Sequence, residues 1–338
     1  MNILVPFSNV DQMEALIKAG ATELFCGYVP DEWIESIHSD PDIFATLVSI
    51  NKRSFVHANL RKEEDLRNVV KMAKEYNVRL FLTLNAICYS EPVWDMLKRY
   101  ICRIEELGVE SVIVSDIAVM RYVTEHTRMK ISVSCLNNVI NDPMIRFYKQ
   151  FNVDRIVFPR HISVDVMKEL CLNHPDLEFE YFILSDKCIY DDGNCHCVHI
   201  IGAFCTDSWN SDYFRMSGDD IDEKELKRLI ENESTFDNWA NCHCTGNTLK
   251  RRWSNIGCSL CSLVDVIKIP NMVSLKLVGR GLSIADLSFL LDTTQKAVEF
   301  AGSSDVARIR EFAREIFNND DMCNDFQYCI VRGGGENE

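Results

Sequence analysis

Cysteine is the residue type whose spacing carries the most chemistry in this chain. Eight of the fifteen cysteines lie in one stretch: Cys188, Cys195, Cys197, Cys205, Cys242, Cys244, Cys258 and Cys261. The stretch opens directly after the apolar run Glu180-Tyr-Phe-Ile-Leu184, and Asp191, Asp192 and Gly193 stand between its first two thiols. Thiolates gathered where a strand ends bind a soft metal or an iron–sulfur cluster. A zinc reading competes: Cys242-His-Cys244 and Cys258-x-x-Cys261 together have the paired short spacing of a four-cysteine zinc knuckle. Cys26, Cys102, Cys135 and Cys171 are isolated and read as buried free thiols acting as small hydrophobes. The tail pair Cys323 and Cys329 is equally arguable as a surface redox couple or as core residues.

Composition limits what those thiols do. No opening segment has the order of a signal peptide, and apolar runs such as Arg79-Leu-Phe-Leu-Thr-Leu-Asn85 are too short to span a bilayer, so a cytoplasmic protein without membrane contact is expected. In a reducing compartment clustered cysteines are ligands or redox thiols rather than disulfides. The formal charge of −15 argues against nucleic-acid binding through the whole surface, without excluding a local contact. Lys250-Arg251-Arg252 offers such a patch, though it reads more simply as a solvated turn balancing the acidic stretch before it.

The elements that must position these residues follow a repeated βα rhythm. Apolar runs at Asn2–Pro6, Thr22–Gly27, Arg79–Asn85, Ser111–Asp116, Lys130–Cys135, Arg155–Arg160, Glu178–Leu184 and Ser274–Gly279 predict eight strands. Segments of helical period lie between most of them, including Val10–Gly20, Glu63–Tyr76, Asp95–Leu107, Pro143–Phe151 and Ser163–Asn173. The pattern predicts an α/β fold of the (β/α)8 TIM-barrel type. Two insertions break it. One runs from about Pro30 to Leu60, with a short extra strand at Ser54–Ala58; the other is a cysteine-rich insertion between strands 7 and 8, with a charged helix from Asp222 to Glu233. The organisation is thus 1–185 for strands 1 to 7, 186–273 for the metal-binding insertion, and 274–338 for strand 8, the last helix and the tail. A structureless segment as long as 186–273 is improbable in a compact domain, and its thiols are the obvious organisers.

Barrel chemistry gathers at the C-terminal ends of the strands. Here those ends carry Gly27, Asn85, Asp116, Cys135 with Asn137 and Asn138, Arg160, Ser185 with Asp186, and Gly279-Arg280-Gly281. Asn85, Asp116, Arg160 and Glu180 are the candidate catalytic residues, and Asn137, Asn138 and Arg280 the candidate ligand-binding ones. Arg160 and Arg280 each have the forked geometry that holds a carboxylate, the alternative being structural ion pairs with Asp116 or Glu180. Ser283, three residues before Asp286, is placed to cap the last helix.

Glu180-x-Phe182 followed by Cys188-x4-Gly193-x-Cys195 resembles the signature of peptidase family U32, the collagenase-like proteases. Leu82-Thr-Leu-Asn85, Val114-Ser-Asp116, Ser132-Val-Ser-Cys-Leu-Asn-Asn138, Phe158-Pro-Arg160 and Leu275-Lys-Leu-Val-Gly-Arg280 are similar to further short blocks of that family, in order, over roughly residues 1 to 300. The resemblance implies a barrel and a 4Fe–4S cluster, as in members linked to oxygen-independent hydroxylation of quinone precursors or RNA bases. On it, Cys188 and Cys195 match the first two cluster ligands, Cys261 the last, and Cys205 or Cys258 the third. Three functions follow as expectations: an iron–sulfur modifying enzyme or subunit that binds a small organic acid and works with a protein partner; a peptidase acting on a peptide; and a noncatalytic metal-stabilised scaffold. The chain has no Gly-x-Ser-x-Gly elbow and no His-Glu-x-x-His pair, so the first is preferred.

Overall fold

Eight parallel strands close on themselves in chain order: β1 (Asn2–Pro6), β2 (Glu23–Cys26), β3 (Arg79–Leu84), β4 (Ser111–Val114), β5 (Lys130–Val133), β6 (Val153–Val157), β7 (Glu178–Leu184) and β8 (Met272–Leu277). Pairing of β1 with β8 seals the barrel. The structure is a computed structural model and describes residues 1–39, 49–53, 58–184, 192–194, 222–240, 257–317, 323 and 329–330. The expected strand at Ser54–Ala58 falls mainly outside the described residues, as do Cys188, Cys195, Cys205, Cys242 and Cys244.

Each strand is short and apolar because both of its faces are buried, one against the helices and one against the barrel axis. The helical shell includes Val10–Lys18, Glu63–Glu75, Trp94–Glu106, Ile117–His126, Val164–Asn173 and Ile284–Ala301, and its apolar stripes pack on the outer strand faces. Local chemistry starts several of these helices. Asn9, Asp116, Asn141, Ser163 and Ser283 each accept a hydrogen bond from the backbone N–H three residues on. Ser283 therefore caps the last barrel helix as its position in the sequence predicts.

The barrel interior is divided. Leu4, Phe25, Phe81 and Ile113 from β1 to β4 form a small apolar cluster of their own. A buried ionic network, drawn from β2, β3, β6, β7 and β8, shares the interior. Arg155 is wholly enclosed and donates to Glu23 (2.7 and 2.8 Å), Glu178 (2.7 and 3.1 Å) and Glu180 (3.0 Å). Lys276 donates to Glu180 at 2.6 Å, Ser274 to Glu23 at 2.7 Å, and Arg79 to Glu178 at 2.7 Å. Burial alone would lower the Arg155 pKa, but the surrounding carboxylates outweigh it and hold the guanidinium charged. Network and cluster meet through cation–π contacts, with Arg155 4.7 Å from the Phe81 ring centroid and Lys276 4.6 Å from that of Phe25.

The barrel wall resumes before β8. Cys258 forms an antiparallel bridge with Leu184, Ser259 N–H donates to the Ile183 carbonyl at 2.8 Å, and Leu260, Leu263 and Val266 are buried in the core. The charged helix expected over Asp222–Glu233 is present and longer, Glu223–Ala240.

Candidate functional site

The C-terminal mouth of the barrel has two polar centres. The first is Arg280, in the Gly-Arg-Gly turn after β8. Gly279 allows that turn with a φ of +137°, which side-chain-bearing residues rarely adopt. Ser8 accepts from Gly281 N–H at 3.0 Å, and Gln12 donates to the Leu282 carbonyl at 3.0 Å, so the turn is tied to the loop after β1.

The Arg280 side chain runs inward and is buried. It donates to Thr83 Oγ1 at 3.0 Å, to Asn51 Oδ1 at 3.1 Å and, at 3.4 Å, to Asn59 Oδ1. All three acceptors are neutral. No carboxylate among the described residues hydrogen-bonds to this guanidinium. Burial and the nearby Arg53 cation lower its pKa from 12.5 to about 9. The acceptors are themselves fixed: Asn51 donates to Asn59 at 2.9 Å, Asn59 to the Arg53 carbonyl at 2.7 Å, and Thr83 to the Cys26 carbonyl at 3.1 Å. Gly27 makes the cradle possible, since a Cβ there would overlap Asn59, Arg280 and Asn51. A buried cation with neutral partners and a second cation nearby is the electrostatic form of an anion site.

The second centre is Arg160, after β6. It forms an ion pair with Asp192, its backbone N–H donates to the same carboxylate at 2.9 Å, and its guanidinium lies 4.3 Å from the Phe182 ring centroid. Asp192 and Gly193 belong to the signature stretch between Cys188 and Cys195. Gly193 sits so closely on Asn138 that a Cβ would come within 2.6 Å of the Asn138 Cβ. The short turn Asp192–Asn194 is thereby seated on the mouth.

The remaining candidates lie at the mouth or in structural positions. Asn137 donates to the Ser115 carbonyl (2.7 Å) and the Tyr148 hydroxyl (2.9 Å), while its Oδ1 and the Ser115 Oγ are buried without a hydrogen-bond partner among the described residues. Asn138 takes a left-handed conformation, φ 52°, directly beneath Gly193. Asn85 accepts from Lys52 N–H at 3.3 Å, joining β3 to the loop that supplies Asn51. Asp116 caps helix Ile117–His126 by accepting from Val119 N–H at 3.0 Å. Glu180 lies inside the barrel below Phe182, bound by Arg155 and Lys276. The alternative pairing of Arg160 or Arg280 with Asp116 or Glu180 is thus not what forms, because Lys276 and Arg155 reach Glu180 first from the neighbouring strands.

Asn51 and Asn59 were not singled out in the sequence, and Thr83 and Asp192 stood there only within longer runs. Asn51 and Asn59 did leave a signal, each being a polar residue beside buried apolar ones, Ile50 and Leu60.

Among the thiols, Cys258 and Cys261 are the described candidates for metal ligands. Burial pushes the Cys258 pKa up to about 12. Among the described residues no group of three or more His, Cys, Asp or Glu side chains is spaced to hold a metal ion. Cys135, at the mouth, is pushed up to about 12 by burial and by the Asp192 charge, against the pull of Arg160 and Lys276.

Fold and mouth together define a (β/α)8 barrel with its polar groups collected where the strands end. Residues 8–323 match the model of peptidase family U32, and the chain belongs to that family. It is similar to a collagenase of Porphyromonas gingivalis, 25% identical over 205 residues, covering 57% of this chain and 44% of that protein. It is also similar to the tRNA hydroxylation protein P1 of Bacillus subtilis, 24% identical over 196 residues, covering 57% of this chain and 40% of that protein. The chain spans less than half the length of either relative. A solved U32 peptidase aligns at 10% identity over 54% of this chain and 69% of its own, with a TM-score of 0.40.

Proposed function

We propose that this protein supports a hydroxylation-type modification reaction in which a small organic acid is held at the barrel mouth by Arg280. The observation that carries the reading is the buried Arg280 guanidinium, whose hydrogen-bond acceptors are all neutral and whose pKa is lowered by burial and by the Arg53 cation. A carboxylate entering the mouth would supply the missing counter-charge through charge-assisted hydrogen bonds. Arg160, engaged by Asp192, acts as the clasp of the signature turn. The orphaned Asn137 Oδ1 and Ser115 Oγ are available to fix the rest of the ligand.

The resemblance also implies a 4Fe–4S cluster. Docking of Asp192 and Gly193 on Arg160 and Asn138 fits that group, because these two residues, which stand between Cys188 and Cys195 in the sequence, are held against the mouth. Cys188, Cys195 and Cys261 would hold the cluster, with Cys205 or Cys258 as the remaining ligand. When bound, it supplies one-electron chemistry beside the acid. The chain's own residues bind and orient the acid through Arg280 and Asn137, and Phe182 and the seated turn limit water at the mouth.

The name of the tRNA hydroxylation relative suggests RNA as the acceptor. With a net charge of −15, contact would be confined to a local patch or delivered by a protein partner. A peptidase reading finds less support: Cys135, the thiol at the mouth, is shifted away from the thiolate form that a cysteine nucleophile requires. The test is modification of unmodified RNA by the anaerobically reconstituted protein, with and without added carboxylic acids. Acid-dependent incorporation of oxygen supports the reading. Peptide cleavage that is abolished by Arg280→Met, with no RNA modification, would replace it.

A further inference from the structure

A cleft on the outer face of the helical shell lies outside every role assigned above. It encloses about 470 Å3 and is lined by Lys98, Arg99, Cys102, Arg103 and Glu106 of helix Trp94–Glu106 and by Tyr122 of helix Ile117–His126. Three of these residues are cations and one is an acid, in a chain whose net charge is −15. Lys98, Cys102 and Glu106 follow one another four residues apart, with Arg99 and Arg103 in the adjacent row, so the cations run along the helix. Arg103 is held by Glu63 and Glu106, both at 2.7 Å, and Lys98 by Asp95 at 3.0 Å. Arg99 is exposed and has no hydrogen bond or ion pair among the described residues. Aromatic rings accompany these charges. Trp94 meets Tyr122 edge to face with ring centroids 6.1 Å apart, Tyr122 stacks on the exposed His126 at 4.3 Å, and the Lys98 ammonium lies 5.7 Å from the Trp94 centroid. The cleft starts at the barrel mouth, since the loop from Asn85 leads into the first helix and Asp116 caps the second.

We propose, on the basis of the RNA acceptor put forward above, that this cleft holds a single-stranded RNA segment, its phosphates on Lys98, Arg99 and Arg103 and a base on the Tyr122–His126 stack. It is then the local patch to which a chain of net charge −15 confines a polyanion. Single strands are held without sequence preference by cationic grooves in which aromatic rings offer stacking platforms, and both parts are present here. The acids in the way are weak competitors. Asp95 and Glu106 are exposed, and ion pairs between exposed side chains contribute little, so phosphates displace them at small cost. Position favours the same occupant. A base that reacts at the mouth must leave its stack, and its flanking strand needs a hold nearby. Helix Ile117–His126 has 10 residues and is about 15 Å long, so the whole stack lies within that distance of Asp116 at the rim. An acidic peptide would engage the cations equally well, but it has no flat ring to lay on His126.

The test is binding of unmodified tRNA and of an oligouridylate to the full chain over a range of salt, read by anisotropy of the labelled RNA. The double variant Lys98→Gln/Arg99→Gln removes two phosphate contacts. Its affinity should fall at least tenfold, and the slope of log K against log salt should become shallower by about 1.4, at ~0.7 per contact on a single strand. Tyr122→Leu keeps the packing against Trp94 and removes the ring, so binding should weaken about fivefold or more with the slope unchanged. Because a variant can lose RNA simply by unfolding, photo-crosslinking of thiouridine-labelled RNA to the unmutated chain is the second measurement. Adducts should map to helices Trp94–Glu106 and Ile117–His126. Parent-like affinity and slope in both variants, adducts confined to other elements, displacement of the RNA by polyglutamate at equal charge, or no RNA bound by the parent would each overturn the proposal. RNA that the double variant binds and modifies as the parent does overturns the cleft alone and leaves the function of the mouth standing. RNA held on the cleft with no acid-dependent oxygen incorporation does the reverse.

Discussion

Replacing Arg280 by methionine keeps an unbranched stem in the cradle and removes the buried charge. The lowering of the Arg280 pKa from 12.5 to about 9 corresponds to about 5 kcal/mol of disfavour for the charged form, at ~1.36 kcal/mol per pH unit. Against this, the variant loses three hydrogen bonds, at ~1 kcal/mol each. Their acceptors are not stranded: Asn59 still accepts from Asn51, Asn51 from Arg53 N–H, and Thr83 still donates to Cys26. The net expectation is a ligand-free variant more stable than the parent by about 2 kcal/mol. With an unfolding entropy of ~2.1 cal/mol/K per residue over 338 residues, that is a rise of about 3 °C in Tm. The sign of the pH dependence is also set. A folded-state pKa below the unfolded value means that the unfolded chain binds this proton more tightly, so the destabilisation is full below about 9 and is relieved as pH rises above it. Calorimetric unfolding of both proteins at pH 7 and pH 10 should therefore show a gap that narrows at the higher pH. A Tm several degrees below the parent at pH 7 would mean that the guanidinium is already compensated, and the anion-site reasoning would fail.

Other perturbations test the surrounding framework. Lys276→Met leaves Glu180 buried with Arg155 as its remaining partner and should cost about 3–5 kcal/mol, read from the urea midpoint; a loss below 1 kcal/mol would show that the interior network is slack. Gly27→Ala forces a Cβ into Asn59, Asn51 and Arg280, and a destabilisation of about 1–3 kcal/mol is expected from chemical denaturation. Glu178 is held below its ordinary 4.5, burial being outweighed by Arg155 and Arg79, so its stabilisation is present above that pH and lost as the solution is acidified. Glu178→Gln should flatten the fall in stability as the pH drops below 4.5; Asp154, whose pKa is raised by burial and further by the Glu178 charge, works in the opposite direction, and the substitution removes that second contribution.

The barrel was legible because β-strands buried on both faces leave continuous apolar runs, and all eight runs became strands in the expected order. Six of the strands end one to three residues earlier than expected, Asp116 belonging to the helix cap and Arg160 to the loop, while the ends at Pro6 and Leu184 fall where the sequence puts them. The polar mouth was legible as positions and not as partnerships. Arg280 was visible between two glycines, but its acceptors come from Asn51 and Asn59, in an insertion more than two hundred residues away, and long-range pairing leaves no local pattern. The interior network was signalled by charges inside apolar strands, Arg155 in Val153–Val157 and Lys276 in Met272–Leu277. Which carboxylate each would take depended on register across the barrel. The meeting of Cys258 with Cys329 had no sequence signal at all, because the tail's return path is set by helix Val306–Phe317 packing beside the Leu260–Ser262 turn.

The central claim is that the mouth holds a small carboxylic acid on Arg280. Calorimetric titration of mono- and dicarboxylic acids into the anaerobically purified protein and into Arg280→Met addresses it directly. One saturable site in the parent, weakened at least 100-fold in the variant, which is about 2.7 kcal/mol of binding free energy, is the predicted result. Equal affinity in both proteins, or no binding to a parent whose mouth is intact, would contradict it.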